Sequence, residues 1–399
     1  MKILPFTTEF KAVLRQACPV GLIGLLFLVV GCKHPATNFY PIGIYGVRST
    51  NDFSVLRESG FNLVQGQAES RYLTAAQAAG LKVLASPGTA AGKNFDPAPA
   101  RRTVAAFDSH PALWAWYLID EPDLNLVPPE YVIAAERFLK QLPARKPTAL
   151  VIQNGAEAIH YANITDIMMI DRYPIPWQPL AGFDQHVRLT RLALGKKKPL
   201  IAVLQAMDWS YYPEFLPGEK NLRPPTYEEL RCMTYSALAQ RANGLFYYAF
   251  DDGRWKMKEH PQTWEALQKV VGEVNQHLPL FQAEPVWWPW RHVIKYKSPD
   301  RFSEAMESSV VLALLQVERG KQNFSPGHYI LAVNTTVKNH ALKIYLPMRT
   351  SNSVPVLGES RTLRPQENWI EDEFPPMAVH IYGPLPDLIG QQKLNSTKR

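Results

Sequence analysis

Apolar residues gather in short runs that alternate with segments of helical period between residues 41 and 280. The apolar runs occupy positions 42–47, 61–65, 81–86, 113–119, 149–152, 167–170, 200–205 and 244–250. Because these runs are almost continuously apolar, we expect strands that are covered on both faces, as in a parallel sheet. Gly60 and Gly80 follow helical segments, and Thr226 with Glu229 forms a capping-box pattern, so helices separate the strands.

Eight strands that alternate with helices predict a (β/α)8 barrel over residues 41–280, of the α/β class. The rival is a doubly wound open sheet, which usually carries a glycine-rich phosphate loop after its first strand; residues 45–50 show none. After a Pro- and Trp-rich linker at 280–290, short β-like runs follow at 310–317, 329–333, 342–346 and 378–382. They predict a small all-β sandwich over 281–385 and a polar tail over 386–399.

The amino terminus has the features of an export signal. Basic residues precede an apolar run at 20–30, which is short for a spanning helix and typical of a secretory signal. Residues 29–32, Val-Val-Gly-Cys, resemble the bacterial lipobox. The resemblance implies a signal peptide over 1–31, a lipid on Cys32, a linker over 32–40 and a place in the cell envelope; Lys33 implies the outer membrane. A signal with a chance cysteine, or a buried core segment, is the alternative.

Composition narrows the classes of partner. The 399 residues carry a formal net charge of +7, but the basic residues are scattered and no nucleic-acid-binding motif is present, so we expect no nucleic-acid partner. Three cysteines exclude a disulfide scaffold, and neither a metal-ligand motif nor a phosphate loop is present, so we predict no metal and no cofactor. Aromatic residues make up 11% of the chain and are either core residues or platforms for sugar rings.

The strongest chemical signal follows the fourth apolar run. Asp120 and Glu121 come directly after residues 113–119, and barrel enzymes place their active sites at the carboxyl ends of the strands. Burial and a neighbouring carboxylate both raise a carboxyl pKa. Glu121 is therefore our candidate general acid. The alternative is a solvated acidic turn, which is the better interpretation for Asp123.

Polar and aromatic side chains also end the other strands. We take Asp120, Asp171 and Asp251 as further candidate catalytic residues, because each follows an apolar run. The candidate substrate-binding residues are Tyr45, Gln65, Asn154, Tyr173, Gln205, Asp208, Trp209 and Trp255. Acids, amides and aromatic rings together are typical of a site for a polyol.

Asp120-Glu121-Pro122 resembles the Asn-Glu-Pro sequence that ends the fourth strand in the retaining glycoside hydrolases of clan A. Residues 171–174 resemble the sixth-strand end of that clan, where a tyrosine orients the nucleophile, and residues 281–385 resemble the β-sandwich appended to many carbohydrate-active enzymes. The resemblance implies an unidentified oligo- or polysaccharide as the substrate and Glu121 as the acid/base. Together with the export signal, it predicts an enzyme of the cell envelope.

Two residues depart from the clan. Its nucleophile is a Glu that ends strand seven, where this chain has Gln205, and Asp120 replaces the Asn that binds the sugar 2-hydroxyl. Three mechanisms remain open. A carboxylate of Asp171, Asp208 or Asp251 could act as base in an inverting reaction; Asp120 and Glu121 could act in substrate-assisted hydrolysis of a 2-acetamido sugar; or the cleft could bind glycan without cleaving it. A non-catalytic glycan-binding lipoprotein and a scaffold lipoprotein are therefore alternatives to the enzyme.

Overall fold

The eight apolar runs form a closed parallel barrel, in which β1 pairs with both β2 and β8. The strands are β1 Ile42–Ile44, β2 Leu63–Gly66, β3 Lys82–Ala85, β4 Leu113–Asp120, β5 Thr148–Ile152, β6 Ile167–Arg172, β7 Leu200–Gln205 and β8 Gly244–Tyr248. All residues of β5 and β7 are buried, because the barrel core covers one face and helices cover the other. The predicted fold class is confirmed.

This computed structural model describes residues 39–144, 146–286, 294–296, 310–318, 324–347 and 350–385. The predicted signal peptide, Cys32, most of the predicted linker and the polar tail lie outside these ranges. No helix within them is long and apolar enough to cross a membrane.

Helices connect the strands. They are α1 Phe53–Glu58, α2 Ser70–Ala78, α3 Pro97–Phe107, α4 Pro129–Gln141, α5 Ala158–Tyr161, α6 Leu180–Leu194, α7 Tyr227–Ala239, α8 Pro261–Gln276 and α9 Leu278–Phe281. The capping box of α7 is formed by Thr226 and Glu229, as the pattern predicts. The pattern does not predict α3, although Asp96 caps its first turn and Pro97 opens it, which is a usual helix start.

The strands after residue 283 form antiparallel sheets. They are β9 Glu284–Val286, β10 Ile294–Tyr296, β11 Val310–Val317, β12 Gly327–Asn334, β13 His340–Tyr345, β14 Val354–Pro355, β15 Thr362–Leu363, β16 Trp369–Phe374 and β17 Val379–Leu385. One sheet has the order β17-β12-β11-β9 and another the order β10-β13-β16, and a single apolar core joins the two. The predicted linker at 280–290 is wrong in part, since β9 lies inside it and pairs with β11.

Helix α7 joins the barrel to these sheets. The Cys232 thiol on α7 donates to the carbonyl of Asn334 at 3.4 Å, and Arg231 reaches the carbonyl of Val379 at 3.3 Å. Arg231 also forms an ion pair with Glu273 of α8 at 2.7 Å. Cys232 is free and buried, as expected for a core thiol.

Candidate functional site

Glu121 lies where β4 ends at the mouth of the barrel. Its amide still donates to the carbonyl of Val151 on β5 at 3.1 Å, and its own carbonyl then accepts from the backbone and side-chain nitrogens of Asn125, each at 2.9 Å. Pro122 has no amide hydrogen and cannot extend the ladder. Glu121 itself has φ = 42°, in the left-handed region that a residue with a side chain rarely adopts, and such backbone strain is common at functional sites.

Asp171 on β6 meets Glu121 across the mouth. The side chain of Asp171 is buried, with 4% of its surface exposed, and the Tyr173 hydroxyl donates to its Oδ2 at 3.1 Å. Oδ1 of Asp171 is buried and receives no N–H or O–H bond from a neighbouring group. The carboxyl groups of Asp171 and Glu121 are within hydrogen-bonding distance of each other. A proton shared between them therefore supplies the bond that the buried pair requires.

The protonation of the pair follows from its surroundings. Burial raises the pKa of Glu121, the charge of Asp120 raises it further, and the hydrogen bond with Asp171 partly opposes both, so that the pKa is about 7. Burial, followed by the charge of Glu121, raises the pKa of Asp171 well above its usual range. The pair therefore holds at least one proton at neutral pH.

Asp120 is the solvent-exposed acid of the group. The hydroxyl of Tyr117 donates to its Oδ1 at 2.5 Å, and the hydroxyl of Tyr45 lies 3.4 Å from that of Tyr117. Burial among protein atoms on its inner side raises the pKa of Asp120, and the Tyr117 hydrogen bond opposes the shift. Tyr45 is 8% exposed and lies beneath Tyr117, so it supports the acid more than it lines the open cleft.

Aromatic rings form a wall beside Asp171. The rings of Tyr173 and Tyr248 are stacked, with centroids 5.3 Å apart and an interplanar angle of 22°. The indole nitrogen of Trp209 donates to the carbonyl of Tyr173 at 2.9 Å, and the two rings are 6.1 Å apart. All three side chains are half-buried, which suits a surface for the apolar face of a ring.

Asp252, in the loop after β8, carries a carboxylate that is fully bonded. Its Oδ2 accepts from the hydroxyls of Tyr248 at 2.7 Å and Tyr212 at 2.5 Å, and its Oδ1 accepts from the amides of Arg254 and Trp255, each at 2.9 Å. Burial alone would raise the pKa of Asp252, but these hydrogen bonds outweigh it and lower the pKa. Asp252 is therefore ionised at neutral pH.

Gln205 is not available to a substrate, which corrects its prediction as a binding residue. The side chain is completely buried at the end of β7. Its Oε1 accepts from the amide of Ile175 at 2.7 Å, and its Nε2 donates to the carbonyls of Ile175 and Met207 at 2.8 and 3.1 Å. Gln205 thus ties the loop after β6 to the end of β7.

Trp255 is a further correction, whereas Asp251 keeps a partly exposed side chain. The carboxylate of Asp251 accepts from the amide of Gly253 at 2.9 Å and caps a turn, while the neighbouring Asp252 contacts the tyrosine wall. Trp255 is completely buried, its indole nitrogen bonds the carbonyl of Ala249, and its ring stacks on His260. The Trp255 side chain is therefore used to close the loop after β8, and a catalytic role for Asp251 remains a prediction.

Three other predicted residues bond to loop backbone. Oε1 of Gln65 accepts from the amide of Gly46 at 3.1 Å, and Oδ1 of Asn154 accepts from that of Ala156 at 3.1 Å. Oδ1 of Asp208 accepts from Ser210 at 2.8 Å and caps the 3₁₀ turn Trp209–Tyr211. These bonds shape the loops, and a role in substrate binding remains a prediction for each residue.

The structure adds side chains that the sequence pattern does not single out. Tyr117 and Tyr248 lie inside runs interpreted only as apolar strands, and Tyr212 and Asp252 lie in loops. Arg172 follows Asp171, and its charge acts on both Asp171 and Glu121. A signal for the two strand tyrosines was present, since each lies near the carboxyl end of its strand.

Comparison with known proteins gives the fold a context. No family model and no curated protein sequence matches the chain. An α-amylase from Anoxybacillus is similar in structure, with a TM-score of 0.53 and 10% identity over 85% of this chain and 90% of that one. A GH42 β-galactosidase from G. stearothermophilus has a TM-score of 0.52 and 9% identity over 87% of this chain and 98% of that one. AmyP in complex with maltose has a TM-score of 0.51 and 9% identity over 84% of this chain and 88% of that one. The chain therefore shares its barrel fold with these three proteins.

Cavities adjoin the barrel within the described residues. A groove of about 560 Å³ adjoins the loop after β4 and is lined by Asp123, Leu124, Leu126 and Tyr161, among others. A larger cavity of about 1170 Å³ lies between α8 and the carboxy-terminal sheets, and it contains none of the acids at the strand ends. The smaller groove adjoins the site through Asp123, which lies two residues after Glu121, although its lining does not include Asp120, Glu121 or Asp171. Within the described residues, no group of three acids, histidines or cysteines could hold a metal ion.

Proposed function

We propose that this protein is a glycoside hydrolase that cleaves an oligo- or polysaccharide, with Glu121 as the general acid. The place of Glu121 beside Asp120 at the mouth of the barrel carries the proposal, because burial and the charge of Asp120 raise the pKa of Glu121 to about 7. A carboxyl group that still holds its proton near neutral pH can protonate a leaving oxygen. The stacked rings of Tyr173 and Tyr248 offer a platform for the sugar beside it.

Asp171 assists the proton transfer. When Glu121 gives its proton to the glycosidic oxygen, the new carboxylate accepts a hydrogen bond from the protonated Asp171, and the charge of Arg172 also favours the ionised form. The ionised Glu121 can then take a proton from the incoming water, which restores the acid. Glu121 must be protonated at the start, so activity is expected below about pH 7 and falls as the pH rises through that value.

The contact between Glu121 and Asp171 disfavours these two residues as an inverting pair. Inverting enzymes need about 6.5–9.5 Å between the acid and the base, to make room for a water molecule. Asp171 is in direct contact with Glu121 and leaves no such space. Substrate-assisted hydrolysis and binding without cleavage need no second carboxylate at that distance.

The cellular location is part of the proposal. The apolar run at 20–30 and the Val-Val-Gly-Cys sequence support export and a lipid on Cys32, at the outer membrane of a bacterial cell envelope. Metabolic labelling with a fatty acid tests this directly. We expect label on the wild-type chain and none on Cys32→Ser, and equal labelling of both would contradict the lipid anchor.

The activity is tested by Glu121→Gln, which keeps the shape and removes the acid. In a screen of oligosaccharides and aryl glycosides, we expect turnover to fall by about 10²–10⁴-fold, the range for loss of a general acid. Glu265→Gln is the matched control, because Glu265 is an exposed residue of α8, and this variant should keep wild-type turnover. Unchanged turnover in Glu121→Gln would overturn the assignment.

One observation favours a second function, glycan binding without cleavage. The end of β7 carries Gln205, a buried amide that cannot act as a nucleophile. The same screen separates the two functions, because a binding protein would retain oligosaccharides and release no product. Its affinity would then be the same in the wild type and in Glu121→Gln.

A further inference from the structure

We infer that the substrate carries a 2-acetamido group on the sugar held at Glu121, and that this group, rather than a protein side chain, attacks the anomeric carbon. The inference rests on the proposed function, since it presumes that Glu121 protonates a glycosidic oxygen. It names the substrate class, which neither the fold nor the acid pair specifies.

The carboxylates near Glu121 do not offer a nucleophile. A retaining enzyme needs a second carboxyl about 5–5.5 Å from the acid, on the opposite side of the sugar. Among the described residues, the acids that most affect Glu121 are Asp120, Asp171 and Asp123. Asp171 touches Glu121 directly, and Asp123 is held by the amides of Gln153 and Asn154 at 2.7–3.1 Å.

Asp120 is placed for a different task. It is the neighbour of Glu121 at the same strand end, whereas a protein nucleophile and its acid stand on opposite sides of the glycosidic bond. Tyr117 fixes Oδ1 of Asp120 at 2.5 Å, while the side chain stays open to solvent. An exposed, oriented carboxylate oxygen beside a general acid accepts an amide N–H of a substrate.

A second observation is the aromatic wall beside the acids. The Tyr173 hydroxyl donates to Asp171, which contacts Glu121, and the Tyr173 ring stacks on that of Tyr248 with centroids 5.3 Å apart. Both rings are half-buried and offer a face on which a sugar ring can pack. The wall therefore borders the same mouth in which Asp120 and Glu121 lie.

The reaction balances with water as the only other reactant. Glu121 gives its proton to the glycosidic oxygen, the bond from the anomeric carbon to that oxygen breaks, and the acetamide oxygen bonds to the same carbon. The resulting oxazolinium ring places positive charge at the amide nitrogen, whose N–H donates to Asp120. Water then gives a proton to ionised Glu121 and attacks the anomeric carbon, which opens the ring and releases a sugar with retained configuration.

Matched substrates test the inference. Aryl glycosides that differ only at C2, with an acetamido or a hydroxyl group, are compared in both anomers and in the gluco and galacto series. We expect cleavage of an acetamido member with retention, and at least a hundredfold lower kcat/KM for its hydroxyl counterpart. Asp120→Asn should lower kcat/KM for the acetamido substrate at least tenfold, whereas Glu265→Gln, at an exposed position of α8, should not.

Binding gives a readout that does not need turnover. A thiazoline-fused sugar resembles the cyclic intermediate, and we expect it to bind the wild type and to bind Asp120→Asn at least tenfold more weakly. Equal cleavage of hydroxyl substrates that still depends on Glu121, or covalent labelling of the chain by a 2-fluoro glycoside, would overturn this inference and leave the proposed function intact. Absence of any cleavage would overturn the proposed function, and the thiazoline would then decide alone: Asp120-dependent binding supports the substrate class, and no binding refutes it.

Discussion

The barrel mouth has two halves with similar side chains and different bonding. We call the ends of β4 and β6, with Asp120, Glu121 and Asp171, the acid half. The ends of β7 and β8, with Gln205 and the loop aspartates, form the bonded half. In the acid half the carboxyl groups face each other with few donors, and burial raises the pKa of every one of them.

The bonded half shows how hydrogen-bond donors change the pKa of a buried acid. Asp252 is also buried in part, but two hydroxyls and two amides bond to it and lower its pKa. Gln205 is completely buried, and each of its polar atoms bonds to backbone. The contrast teaches that the number of donors, more than burial itself, separates a reactive acid from a structural one at this mouth. Substitutions in the bonded half should therefore cost stability, and those in the acid half should change titration.

The largest effect is expected for Gln205→Glu in the bonded half. A carboxylate cannot donate to the carbonyls of Ile175 and Met207, which would face it inside a completely buried space. Losing these bonds and burying a charge should cost about 3 kcal/mol or more of unfolding free energy. Denaturant unfolding measures the loss, and Gln67→Glu, at an exposed amide after β2, should change stability by less than about 0.5 kcal/mol.

Gln205→Glu also tests whether Gln205 is a structural amide or stands at the position of a lost nucleophile. If Gln205→Glu folds as stably as the wild type and cleaves faster, residue 205 belongs to the acid half and the contrast fails. A destabilised variant with no gain in cleavage would keep Gln205 as the link between the loop after β6 and β7.

A smaller loss is expected for Asp252→Asn. The new amide group would point its hydrogens either at the two tyrosine hydroxyls or at the amides of Arg254 and Trp255. Because the site is half-buried, we expect a loss of about 1–2 kcal/mol, at the low end for a charged hydrogen-bonding group. Asp251→Asn is the control one residue away, and it should cost less than about 0.5 kcal/mol.

The pH dependence of that difference follows from the lowered pKa of Asp252. An acid whose pKa is lower in the folded state stabilises the fold at pH values above its pKa in the unfolded chain, which is about 4. This contribution is lost as the pH falls through the pKa of the folded state. The stability gap between wild type and Asp252→Asn should therefore be constant near neutral pH and shrink below about pH 4. Equal effects of the Asp251 and Asp252 variants would show that the tyrosine bonds do not matter.

The pattern of apolar runs predicts the barrel well, because parallel strands covered on both faces are apolar throughout. The start of β4 and all of β7 agree with the structure, and so do both ends of β11. Strands β10 and β16 are not predicted. Residues 369–374 read Trp-Ile-Glu-Asp-Glu-Phe, and Asp372, which lies between the buried Ile370 and Phe374 and is bonded by Arg361 and Tyr382, interrupts the apolar alternation.

The candidate site is predicted only in part. A position after a buried strand identifies Glu121, Asp120 and Asp171, because strand ends converge at one mouth. The same rule selects Asp251 and misses Asp252, since the direction in which each loop side chain turns depends on hydrogen bonds to distant residues such as Tyr212. Likewise, a sequence does not reveal that Gln205 meets the backbone of a residue 30 positions away.

The smallest expected effect is a change in titration within the acid half. After burial, the charge of Asp120 is the main cause that raises the pKa of Glu121, so Asp120→Asn should lower it from about 7, by about one pH unit for a charge at this range. Asp171→Asn should change it far less, because Asp171 is already neutral near pH 7 and an asparagine can still donate to Glu121. Carbon-13 NMR of labelled Glu carboxyls in the folded chain follows the titration without a substrate, with Glu121→Gln assigning the signal. If Asp171→Asn moves the Glu121 titration as far as Asp120→Asn does, Asp171 is ionised at neutral pH, and the acid half would not differ in protonation from the bonded half.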